Sequence, residues 1–240
     1  MSRGPAQDDA RLFGRERIGD LRLAVWELAW LLGRGYAEGS ALKLVGDRHA
    51  LLARQRRAVL RSTCTDAAID HRRNRRLRPE ALAGRALAID GFNQLIAVEV
   101  ALSGGVLLRG RDGVLRDMAG VHGSYERSEQ TLAAATAIGE RLEALGLGPV
   151  VWWLDRPVSN SGRLRAILLE LAEQRGWAWE VELAADPDRV LIASEVAVAS
   201  GDAWILDEAQ VHFDLADATI ASACPGAWML DLEVLEDPRA

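Results

Sequence analysis

Three aspartates stand where an apolar run ends and small or polar residues follow. Asp90 closes Leu87-Ala-Ile and precedes Gly-Phe-Asn93, Asp155 closes Val150-Val-Trp-Trp-Leu, and Asp202 follows Val196-Ala-Val-Ala-Ser-Gly. Each run reads as a buried strand, and in open α/β sheets ligands bind at the carboxyl ends of the strands. A carboxylate is costly to bury unless a metal, a cation or backbone donors meet it. With Asp207, five residues after Asp202, these side chains supply the oxygen ligands that Mg2+ or Mn2+ prefers. Such an ion activates water and stabilises an in-line phosphoryl displacement. The competing role for each residue is a helix N-cap, where aspartate is among the favoured types, and Asp207 is as readily a helix-surface acid.

A second group is Asp155-Arg-Pro-Val-Ser-Asn-Ser-Gly-Arg163. It leaves a strand and opens a helix, so its N–H groups could hold an anion. Ser159, Asn160 and Ser161 add polar donors and Arg163 a guanidinium suited to phosphate. The GxxxxGK[ST] spacing of a P-loop is missing. His122, between glycines in Gly120-Val-His-Gly-Ser-Tyr125, is a candidate substrate contact or acid/base, and equally a turn-capping residue.

A third group is basic. Between Arg48 and Arg85 eleven arginines face three acids, so this segment carries +8 within a chain of −6 and the remainder carries −14. Arg54 and Arg57, with the Arg72–Arg78 run, would suit a nucleic-acid backbone. Stacking aromatics are missing from the patch, which argues against base readout. The alternative is a set of arginines paired with the acidic remainder.

These residues require elements to position them. Leu21, Val25, Leu28, Leu31 and Leu32 share one helical face, with Trp26 and Trp30 one turn apart. Breaks are expected at Gly33-Arg-Gly35 and Glu38-Gly-Ser40, with another helix from about Asp47 through Leu60. From Ala86 onward strand patterns alternate with helical ones, which predicts an α/β fold with a mostly parallel sheet. Gly110-Arg-Asp-Gly113 reads as a hairpin turn. The expected organisation is a disordered leader over 1–10, a helical module with a basic connector over 11–80, and an α/β domain over 86–235.

The chain's 240 residues suit one domain with an appendage. The apolar fraction of 49% is ordinary for a globular protein. No uncharged apolar run approaches the ~18 residues of a membrane span, and the N-terminus lacks a secretory core. Cys64 and Cys224 are isolated, so a cytoplasmic protein without a disulfide framework is expected.

The motifs Trp30-Leu-Leu-Gly-Arg-Gly-Tyr36, Lys43-Leu-Val-Gly-Asp-Arg-His49, Arg54-Gln-Arg-Arg57, Ile89-Asp-Gly-Phe-Asn93, Gly120-Val-His-Gly-Ser124 and Leu154–Arg163 together resemble the family described as domain of unknown function 434, over about residues 20–215. That family implies no activity. More distantly, Ile89-Asp-Gly-Phe-Asn93 is similar to the first-strand motif of NYN and PIN-like ribonucleases, and Ala199-Ser-Gly-Asp-Ala203 to their later acidic motif. This resemblance implies a PIN-like Rossmannoid fold in which Asp90, Asp155 and Asp202 bind Mg2+ or Mn2+ and Asn93 supports the first of them. It makes RNA the expected substrate and Glu99 a possible additional ligand. The rival expectations on the same fold are a non-catalytic nucleic-acid-binding module and a nucleotide- or phosphate-binding protein using Ser159–Arg163.

Overall fold

The computed structural model describes residues 3–119 and 125–239, so the His122 assignment lies outside the described residues. The helical region comprises α1 (Asp9–Leu12), α2 (Ile18–Leu32), α3 (Glu38–Arg48), α4 (Ala53–Ser62) and α5 (Asp66–Arg75). Glu38-Gly-Ser40, expected to interrupt a helix, opens α3, and Asp47, expected near a helix start, lies in the last turn of α3, with the next helix beginning at Ala53. Gly33 and Gly35 alone make the turn, Gly35 with a positive φ of 79°. The α5 start is set by Thr65, whose hydroxyl accepts the Ala68 N–H.

The remainder runs β1 (Leu87–Asp90), α6 (Gly91–Leu102), β2 (Leu107–Arg109), β3 (Leu115–Asp117), α7 (Thr131–Ala144), β4 (Val150–Asp155), α8 (Ser161–Arg175), β5 (Trp179–Ala184), α9 (Pro187–Ile192), β6 (Ala197–Ala199), α10 (Ala203–Glu208), α11 (Leu215–Ala223) and β7 (Met229–Asp231). The main sheet is parallel with order β5-β4-β1-β6. Leu87 pairs with both Val150 and Ala197, which makes β1 a central strand. One face of this sheet packs Ile89, Trp152 and Val181 against α6, α7, α8 and α11. The other packs Ala88 and Val198 against Leu191 of α9 and Ile205 of α10.

A smaller sheet has order β3-β2-β7, with β2 antiparallel to β3 across the expected Gly110–Gly113 turn and parallel to β7. Its Leu108 and Leu230, with Val106 just before β2, share one core with Leu21, Val25 and Leu28 of α2 and Val59 of α4. The helices therefore do not form a detached module: the change of element type near residue 80 crosses a continuous core. The segment expected as a disordered leader is also docked from Arg3 onward. Arg3 Nε reaches the buried Glu99 carboxylate at 2.9 Å, and the fully buried Asp9 carboxylate holds Arg54. Among the described residues no helix is long and apolar enough to cross a membrane.

Candidate functional site

Strand order brings the acids to one edge. Asp90 ends β1, Asp155 ends neighbouring β4, and Asp202 follows β6 on the other side. The chain turns from β1 directly into α6 because residue 91 is glycine: a Cβ there would lie 2.5 Å from Leu154 Cδ2 and 2.9 Å from the Trp153 carbonyl oxygen. Residue 201 is restricted in the same way, since a Cβ would stand 2.9 Å from the Leu115 carbonyl oxygen.

Asp90 is buried, and its Oδ2 accepts the Ser200 hydroxyl at 2.6 Å. Burial pushes its carboxyl up from 3.8 to about 7; the Ser200 hydrogen bond opposes the rise, and Asp188, Asp202 and Asp155 add to it. Burial also raises the Asp188 carboxyl, with Asp202, Asp155 and Asp186 contributing. Asp155 is raised by burial and by Asp186, against a backbone hydrogen bond. The edge is thus a set of mutually repelling carboxylates around one buried acid. Asp188, at the start of α9, obeys the same rule of an acid following a strand; it was missed because the end of β5 is separated from it by Ala185-Asp-Pro187.

Several assigned side chains have structural commitments. Asp202 Oδ1 caps α10, accepting the N–H groups of Trp204 and Ile205 at 2.8 and 3.3 Å. Asn93 Oδ1 accepts the Gly201 N–H and the Gln94 amide, each at 2.8 Å, so it joins the β1 and β6 turns and positions them. Asp207 is not part of the group: both its oxygens meet Arg72, at 2.6 and 2.8 Å. Glu99 lies in the core, holding Arg3, Tyr125, Ser128 and Thr131.

The loop after β4 is likewise largely occupied. Asn160, at a φ of 70°, donates its amide to the Tyr125 carbonyl at 3.0 Å, and the buried Ser161 hydroxyl donates to the Arg156 carbonyl at 3.4 Å. Ser159 and Arg163 are exposed, and Arg163 has no ion-pair partner among the described residues.

The arginines mostly serve the fold. Arg54 meets Asp9, Arg56 meets Asp47, Arg73 meets Glu233 and Arg76 meets Asp214. Arg72 and Arg116 share the buried Asp112, and Arg116 Nε donates to the Gly201 carbonyl at 2.9 Å. Burial alone would raise the Asp112 pKa, but Arg116 and Arg72 outweigh it and hold the carboxyl well below its ordinary value. Arg57 remains exposed without a carboxylate partner among the described residues.

The oxygen-only donor set at the edge matches a hard divalent cation in kind. Among the described residues, however, no three His, Cys, Asp or Glu side chains stand close enough to hold one ion. Asp202 is exposed and Asp155 and Asp188 are half-buried, so none of the three is enclosed in the core. A carboxyl titrating near 7 is also suited to proton transfer.

Comparison with known proteins divides the chain in two. Residues 20–75 match the family described as "Protein of unknown function (DUF434)" and residues 79–218 the family described as "Domain of unknown function (DUF5616)". The first match is confined to the helical region, narrower than the 20–215 span expected from the motifs. An uncharacterized protein of Methanocaldococcus jannaschii is 28% identical over 187 residues, which cover 78% of this chain and 89% of that relative. No solved structure matches the chain.

Proposed function

For this chain, which belongs to the family described as Domain of unknown function (DUF5616), we propose metal-dependent phosphodiester hydrolysis at the acidic sheet edge, with single-stranded RNA as substrate. The observation that carries this reading is Asp90: a buried carboxyl at the end of a central strand, with Asp155, Asp188 and Asp202 all opposing its ionisation. A divalent cation is the partner that such a group accommodates best. The residues assigned to hold Mg2+ or Mn2+ are Asp90, Asp155 and Asp202, with Asp188 completing the acidic ring. Bound there, the cation would supply an activated water and charge stabilisation at the phosphate.

The chain's own residues do the rest. Ser200 fixes the orientation of Asp90 through its 2.6 Å hydrogen bond. Asn93 clamps the Gly201 backbone, which keeps the two turns bearing Asp90 and Asp202 in register. Arg163 and Ser159, exposed beside the β4 end, are available to meet a substrate phosphate. RNA as the polymer rests on the resemblance to NYN and PIN-like ribonucleases.

A second reading, nucleic-acid or nucleotide binding without cleavage, is favoured by one observation: no three carboxylates converge among the described residues. Cleavage of labelled single-stranded RNA with Mn2+ separates the two. Hydrolysis by the wild type and its loss in Asp90→Asn is the expected result. Equal activity in the variant, or none in the wild type across Mg2+ and Mn2+, contradicts the hydrolytic reading.

A further inference from the structure

A cavity of about 560 Å3 lies apart from the acidic edge, between the Arg73–Pro79 segment, the last turn of α7 and the start of α11. None of Asp90, Asp155, Asp188 or Asp202 lines it. Its size is that of a small-molecule site.

The charges around it do not balance. Asp217 is taken by Arg109 at 2.6 Å, and Arg76 stands 3.4 Å from Asp214 and 3.9 Å from Asp217. Arg73 is bound to Glu233. Arg78 and Arg141 are left without a carboxylate partner among the described residues. The Arg141 Nε is moreover buried and makes no hydrogen bond. A buried donor without a partner is unfavourable, and an anion against the cavity side of the same guanidinium would offset its unpaired charge.

The remaining wall is apolar. Leu77, Pro79 and Phe213 line it together with the small Ala218 and Ala221 of α11. Paired guanidinium groups suit phosphate oxygens, and such a wall suits a flat ring. We propose that this cavity binds the phosphate monoester of a planar organic group, the chemistry of a nucleoside monophosphate, with its phosphate on Arg78 and Arg141 and its ring against Phe213.

Isothermal titration calorimetry at fixed ionic strength tests this with adenosine monophosphate, inorganic phosphate and adenosine on the full chain. Saturable binding of the monophosphate, weaker binding of phosphate and none of adenosine are expected. Arg141→Met and the exposed Arg78→Ala should each weaken monophosphate binding about tenfold or more, the scale of one lost charge-assisted hydrogen bond. Asp90→Asn should leave it unchanged, which separates this site from the acidic edge. No saturable binding at millimolar monophosphate, or wild-type affinity in Arg78→Ala, would overturn the proposal even if Arg141→Met failed to fold.

Discussion

Asp90 concentrates the energetic conflict of the molecule in one side chain. Its carboxyl titrates at about 7 in the native state against 3.8 for an ordinary aspartate, chiefly because burial disfavours the charge. Below about pH 4 the group is protonated whether folded or not. Between pH 4 and 7 the unfolded chain loses the proton and the native state keeps it, so stability falls as pH rises through this window. The loss is complete above the folded pKa and amounts to roughly 4 kcal/mol. Asp90→Asn removes this slope while leaving an oxygen to accept the Ser200 hydroxyl. In urea unfolding with chelator present, the variant should match the wild type near pH 4 and exceed it at pH 8; parallel pH curves would be inconsistent with this account. The same result would mean that lost RNA cleavage in the variant is not lost folding. The strand-end rule made Asp90, Asp155 and Asp202 legible in the sequence, because a hydrophobic run stopping at a carboxylate is a local signal. Asp188 was hidden by a three-residue spacer after β5, and the Arg72 partnership of Asp207 depends on a contact between distant segments that no local pattern carries.

At the level of elements, the β6–α10 turn is held from beneath by charge. The β3 residue Arg116 binds the Gly201 carbonyl and Asp112, and Asp112 also binds Arg72 of α5. All three charged side chains are buried. Removing the shared acid would leave the Arg116 guanidinium buried without its counter-charge and Arg72 with Asp207 alone, and breaking a buried pair in this way typically costs about 3–5 kcal/mol. Asp112→Ala is accordingly expected to lower the unfolding free energy measured in urea by that margin, and a change under ~1 kcal/mol, the scale of an exposed pair, would show that the network carries no such weight. The parallel strands and the Gly110–Gly113 hairpin were readable from apolar runs and turn residues. The α3 start was not: Glu38-Gly-Ser40 looks like a breaker, yet the helix is held by packing of Ala41 and Val45 against the α2 core. Tertiary burial there outweighs local propensity.

For the whole molecule, the +8 segment does not form a free basic arm. Most of its arginines are consumed in ion pairs with acids elsewhere in the chain, and the core beneath them continues into the smaller sheet. Composition disclosed the charge imbalance between segments but could not disclose that folding would cancel it. What folding leaves uncompensated is an acidic edge on the main sheet and an arginine-lined cavity away from it. Attraction of a cation to that edge is therefore the central claim, and binding of Mn2+ to the apo protein tests it most directly. Calorimetry at pH 6.5 in buffers of different ionisation enthalpy should give saturable binding accompanied by proton release from Asp90, weakened at least tenfold in Asp90→Asn. Absence of saturable Mn2+ binding at low millimolar concentration, or equal binding and proton release in the variant, would contradict it.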